Sequence, residues 1–256
     1  MSFGIEGKFK IAKFLRRGPR FVGFADIDGK EVRCHLPNPG RMKEFLTEGV
    51  DILLKINEGN SYKTRYTMVA VVKEIQNERL ELINLNTHVP VKWLCTEFQE
   101  TSPFGFFKNH RCIRKEPSYG NHRFDLLLED QWHNEIICEI KSTTKIIDGV
   151  GYFPDAVSSR ATNQLKTLYE RAQKGGKSVV LFIVQSDEAD LVRPDMETDP
   201  VFAETIKNLQ HENLIHVAFT STSYVESPDF NDLFAGKIIY QLKREIPVSL
   251  TDDRQI

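Results

Sequence analysis

Over residues 1–85, short apolar-rich runs alternate with tight turn signals, the pattern of β-strands. Residues 21–27, 31–36, 50–56, 66–75 and 80–85 read as strands. Asp28-Gly29 is a hairpin signal between the first two, and Asn77-Glu78 separates the last two. Arg41, Met42, Phe45 and Leu46 before Gly49 predict one short helix. Such a string predicts a small closed barrel, the OB-fold foremost, although other small barrels give much the same pattern.

From residue 86 the pattern changes. Residues 91–100 read as a helix, and 112–116, 123–128 and 135–141 as strands. Pro154 opens an expected amphipathic helix to residue 173, and 178–185 is the continuous apolar run of a central buried strand. A helix over 201–209, a strand around 215–219 and a C-terminal apolar segment follow. The chain is thus expected to be α/β (α+β overall): an OB-like domain over 1–85, then an α/β domain with a mixed sheet over 86–256.

The 40% hydrophobic and 27% charged fractions are those of a soluble globular protein. No apolar run is long enough for a bilayer, and Met1-Ser2-Phe3-Gly4 lacks the start of a secretory signal. The expected location is therefore cytoplasmic, with no membrane partner. Cys34, Cys95, Cys112 and Cys138 form no C-x-x-C pair, so reduced thiols are expected, without disulfide or zinc. The net charge of −2 argues mildly against nucleic acid, but its distribution does not. Residues 1–94 hold 16 Lys+Arg against 11 Asp+Glu, and residues 95–256 hold 18 against 25. Lys8, Lys10, Lys13, Arg16, Arg17 and Arg20 face one early acid, Glu6. That imbalance fits a phosphate-facing end or a solvated basic strand edge.

Candidate chemistry lies in Arg123-Phe124-Asp125-Leu126-Leu127-Leu128 and Ile136-Ile137-Cys138-Glu139-Ile140-Lys141. Alternate strand residues share a face, so Ile137, Glu139 and Lys141 point together. A hairpin centred on Trp132 sets Asp125 opposite Glu139 and Arg123 opposite Lys141. Two carboxylates among apolar residues repel and lose hydration unless a cation compensates. Mg²⁺ is a natural one, and Lys141 beside it can stabilise charge developing on a phosphate. The Asp-x13-Glu-x-Lys spacing is that of PD-(D/E)XK nucleases. A structural Glu139–Lys141 pair is the plainer alternative. Lys174-Gly175-Gly176-Lys177-Ser178 is no P-loop, because Arg171 stands where the first glycine is required. No G-x-S-x-G, H-E-x-x-H or complete dinucleotide loop is present.

The chain resembles the sugar fermentation stimulation protein (SfsA) family. The resemblance rests on His35-Leu36-Pro37-Asn38-Pro39-Gly40-Arg41-Met42, Lys63-Thr64-Arg65-Tyr66, Arg123-Phe124-Asp125, Glu139-Ile140-Lys141-Ser142-Thr143-Thr144, Phe153-Pro154-Asp155-Ala156-Val157 with Arg160, and Val180-Leu181-Phe182-Ile183-Val184-Gln185. It implies an N-terminal OB-like domain, a PD-(D/E)XK-like C-terminal domain and DNA binding of low sequence specificity. It also implies a Mg²⁺- or Mn²⁺-dependent nuclease site at Asp125, Glu139 and Lys141, with Glu116 as a further acid. The alternative is a non-catalytic DNA-binding regulator of sugar metabolism genes on the same scaffold. Pro39 replaces the family's usual threonine. Ser159, Asn163 and Gln164 replace a glutamate, a lysine and a histidine.

Asn38, Gly40 and Arg41 are candidate phosphate contacts, the role favoured because the resemblance is strongest there; the alternative is a turn with Arg41 as an inter-domain clamp. Lys10, Arg16, Arg17, Arg123, Arg160 and Gln164 are further candidate DNA contacts. Phe9, Phe14, Phe21 and Phe24 are expected to be mostly core, with base stacking the other role. Asp155 is either a third acidic ligand or a charge at a helix start. Single- or double-stranded preference and oligomeric state stay open.

Overall fold

The computed structural model describes residues 3–38, 40, 42–59, 62–76, 79–100, 105–226 and 233–250. The chain divides into two compact units: Ser2–Val89 with Thr222–Gln241, and Pro90–Ser221 with Leu242–Ile256. A single cut after residue 85 therefore misses a late return to the first unit.

In the first unit, β1 (Gly4–Arg17), β2 (Val22–Ile27), β3 (Lys30–His35), β4 (Asp51–Ile56) and β5 (Tyr66–Gln76) close a ring. β1 pairs with β2, β2 with β3, β3 with β5, β5 with β4, and β4 with β1. Closure gives Phe14, Ala25, Leu36, Ile52, Leu54, Met68 and Val71 a common interior. Asp28 and Gly29 both take positive φ, as the β2–β3 turn requires. β6 (Arg79–Asn84) lies outside the ring, paired with β5 on one side and with residues 223–226 on the other.

All five strands expected from the sequence form, as β2 to β6, but the ring takes β1 in place of β6. β1 is masked in the sequence by its lysines and arginines, and a register shift after Phe14 breaks its alternation. The helix expected before Gly49 is not formed: residues 43–45 make a turn. Arg41, Pro39 and the Asn77-Glu78 turn lie outside the described residues. Phe9 and Phe14 are core, Phe24 is partly buried, and Phe21 is exposed.

The second unit begins with α1 (Val89–Glu100), then β7 (Arg111–Lys115), β8 (Ser118–Tyr119), β9 (His122–Arg123), β10 (Leu126–Glu129) and β11 (Glu135–Thr143). β7, β10 and β11 form an antiparallel meander. A second hairpin, β12 (Lys145–Ile147) and β13 (Val150–Phe153), turns on Asp148-Gly149, both at positive φ, a D-G signal missed in the sequence. Then come α2 (Ser159–Gln173), β14 (Lys177–Val184), β15 (Leu191–Pro194), α3 (Pro200–Asn208), β16 (Leu214–Glu226) and β17 (Phe234–Ile246). β14 lies parallel to both β11 and β16, so this unit carries the expected mixed sheet. Leu127, Ile137, Val180 and Phe182 pack with Leu165 and Leu168 of α2.

Three expectations are corrected here. Pro154 does not open α2; it follows β13, and the helix starts where Ser158 Oγ accepts the Ala161 N–H. The strand expected over 123–128 is interrupted at Phe124 and Asp125, which belong to neither β9 nor β10. Cys95 and Cys112 form a disulfide, because α1 and β7 bring their Cα atoms to 5.2 Å. Cys34 and Cys138 are free and buried, as expected. No described helix is long and apolar enough to cross a membrane.

Candidate metal-dependent active site

The site is placed by the β10–β11 hairpin, whose register is fixed at its turn. Asp130 Oδ1 accepts the N–H groups of Trp132 and Asn134, and its Oδ2 takes Lys177 Nζ at 3.0 Å. Burial alone would raise this carboxyl's pKa, but the hydrogen bonds from Asn134, Lys177 and Trp132 hold it well below the carboxylate range. The turn thus pairs Leu128 with Ile136, Leu127 with Ile137 and Leu126 with Cys138. The ladder ends there: Asp125 lies in a bend just before β10, close enough to Glu139 to feel its charge, and the expected facing of Arg123 and Lys141 is not formed, because Arg123 pairs with Ser118 in the β8–β9 hairpin.

Asp125 stands just before β10, and its Oδ2 accepts the Ile140 N–H at 2.7 Å. Glu139 and Lys141, two apart on β11, share a face, with Lys141 Nζ 2.8 Å from Glu139 Oε1. Both are buried, at 5% and 8% exposure. The same ammonium donates to Gln164 Oε1 of α2 at 3.0 Å. The second oxygen of Glu139 and the amide nitrogen of Gln164 are buried without a hydrogen-bond partner, as is Thr143 Oγ1 farther along β11. Thr143 extends the 137-139-141 alternation, so it was findable in the sequence.

Burial and the neighbouring Glu139 raise the Asp125 pKa from 3.8 to about 7. The Ile140 N–H, Lys141 and Arg160 pull against that rise. One lysine therefore leaves two crowded carboxylates only partly compensated. Oxygen-only donors, one of them an orphaned buried oxygen, suit a hard divalent ion such as Mg²⁺ or Mn²⁺. Among the described residues no group of three or more His, Cys, Asp or Glu could hold a metal together. Glu116 donates its backbone N–H to Asp125 O, but its side chain pairs with Arg123. Arg160 is exposed at the first turn of α2, and Asp155 is partly buried before that helix.

The other candidates lie in the barrel unit. Asn38 Oδ1 accepts the Gly40 N–H at 2.8 Å. Arg17 ties this loop down by donating to the carbonyls of Asn38 and Gly40. Lys10 pairs with Asp28 and Arg16 with Glu31. In this unit the structural reading of the loop and of Arg17 gains ground.

The family model described as "Sugar fermentation stimulation protein RE domain" matches residues 88–225, and "SfsA N-terminal OB domain" matches residues 15–82. The sugar fermentation stimulation protein homolog of Clostridium botulinum is 33% identical over 224 residues, covering 86% of this chain and 95% of its own length. That of Desulfitobacterium hafniense is 30% identical over 227 residues, covering 89% and 95%. The solved structure of Pyrococcus furiosus SfsA in complex with Ca²⁺ superposes with a TM-score of 0.77 at 24% identity, covering 97% of this chain and 98% of that one. That likeness speaks to the fold. By its two matched domains and its relatives, this chain belongs to the sugar fermentation stimulation protein (SfsA) family.

Proposed function

We propose that this protein binds DNA with little sequence preference and hydrolyses its phosphodiester bonds at Asp125, Glu139 and Lys141. The observation that carries the reading is the partly compensated carboxylate pair, with Glu139 Oε2 buried and unpartnered. Asp125 and Glu139 would hold Mg²⁺ or Mn²⁺. When bound, such an ion supplies Lewis acidity toward a phosphoryl oxygen and lowers the pKa of coordinated water. Lys141 Nζ, oriented by Glu139 and Gln164, is the cation that meets charge developing on the phosphate. Burial keeps competing water from screening it.

A non-catalytic DNA-binding regulator on the same scaffold is the second reading. It is favoured by the engagement of Lys141 with two protein acceptors. Incubating the purified protein with single- and double-stranded DNA in EDTA, Mg²⁺ or Mn²⁺ separates the two. Strand scission only with metal supports the nuclease. Retained binding without scission in any metal supports the regulator.

A further inference from the structure

Four of the five cations of β1 are ion-paired within the protein, and the fifth, Arg17, donates to the carbonyls of Arg20, Asn38 and Gly40. Lys8 pairs with Glu58 at 2.9 Å; Lys10 with Asp28, Lys13 with Asp51 and Arg16 with Glu31 pair at 2.8 Å. The Arg16 guanidinium also lies 3.7 Å from the centre of the Phe24 ring. Each exposed pair is weak. A phosphate that displaced its carboxylate would nevertheless leave that anion beside the DNA, so such a pair offers little net charge to the backbone.

Two arginines in the other unit differ. β7 is the terminal strand of its sheet, and its ladder with β10 slips by one residue. Leu128 faces Cys112, but Leu127 faces Arg114, with Ile113 taking the extra position. Because Leu127 also faces Ile137, Arg114 shares the sheet face that bears Glu139 and Lys141. Without the slip an isoleucine would stand there, which is why the sequence concealed it. The Arg114 side chain is exposed and makes no ion pair or hydrogen bond among the described residues. Arg160 is exposed and stands one turn before Gln164 on α2, the residue whose side-chain oxygen accepts from Lys141 at 3.0 Å, so it lies at the mouth of the same site, where its charge acts on Asp125. An acidic site repels phosphate, and arginines beside it can offset that repulsion through paired N–H donors.

We propose that the DNA backbone is held by Arg114 and Arg160 beside the Asp125–Glu139 site, and that the paired cations of β1 make no phosphate contact. This rests on the DNA-binding reading above and assigns it a face. Phosphate contacts carry no base information, so the binding is independent of sequence.

The test is a salt series of affinity, by fluorescence anisotropy in EDTA, for a short labelled duplex and a single strand. The Arg114→Gln/Arg160→Gln protein should bind both at least about tenfold more weakly, with a log–log salt slope flatter by roughly two units. The Arg114→Lys/Arg160→Lys protein should recover that slope, and Lys10→Gln/Arg16→Gln should match wild type. Unchanged affinity and slope in the glutamine double variant, with the loss appearing in the β1 variant, overturns the assignment while leaving DNA binding intact. An Arg114 that only guards the sheet edge gives aggregation on substitution with affinity unchanged, which overturns it as well. Wild-type protein that binds neither strand overturns both this face and the reading beneath it.

Discussion

A carboxyl group titrating near 7 is part-protonated at neutral pH, and Asp125 is such a group because burial and Glu139 both disfavour its charge. Its folded pKa lies above its unfolded value of 3.8, so the native state retains a proton that the unfolded chain releases. This group therefore makes stability fall as pH rises from about 4 to about 7. Asp125→Asn keeps an acceptor for the Ile140 N–H and removes the charge. It is expected to melt higher than wild type at pH 8 in EDTA, with the advantage vanishing near pH 4. Equal melting across that range would mean that Asp125 is not perturbed. Metal uptake requires the carboxylate, so calorimetric affinity for Mn²⁺ should rise between pH 6 and 8, with proton release. At Gln164 the expectation concerns orientation: Gln164→Leu strips an acceptor from Lys141 and should lower kcat for DNA cleavage with KM little changed. Gln164→Glu, which retains an acceptor, should recover part of the loss. A change confined to KM would assign Gln164 to substrate binding instead.

At the scale of elements, the site exists because three of them meet in register. The β10–β11 hairpin was legible because its turn is short and its strands are apolar, so counting outward from Trp132 gives the observed register as far as Leu126 and Cys138; beyond it the chain bends at Asp125, and Arg123 pairs with Ser118 instead of facing Lys141. The slip in β7 was not legible, since Ile113 and Arg114 suit an edge strand equally well. In the sequence Pro154 is a stronger helix-start signal than Ser158, although Ser158 makes the capping bond. Ser158→Ala should cost about 1 kcal/mol in a denaturant titration. A null effect would place the stability of that helix in its packed face. The Cys95–Cys112 disulfide joins α1 to β7 across a separation of 17 residues, which sequence spacing could not reveal. Denatured, unreduced protein should titrate two thiols with Ellman's reagent; four would rule the bond out. Its removal by Cys95→Ser/Cys112→Ser should cost roughly 3 kcal/mol for a loop of that size.

For the whole molecule, the family places an OB domain ahead of an RE domain, and the matches cover both. The barrel has a closed hydrophobic interior, and the candidate chemistry lies in the mixed-sheet unit. On the proposed reading, cleavage and binding are separable within the mixed-sheet unit: the carboxylates and Lys141 would set the rate, whereas the exposed Arg114 and Arg160 would set the affinity. The most direct measurement is the single-turnover cleavage rate of labelled DNA by wild type and Lys141→Ala, each with saturating Mg²⁺ or Mn²⁺ and with EDTA. Wild type should cleave only with metal, and Lys141→Ala should be slower by a factor of about 10²–10³ at similar DNA affinity. Cleavage by Lys141→Ala at the wild-type rate, or wild-type cleavage undiminished by EDTA, would contradict a metal-dependent site built on Asp125, Glu139 and Lys141.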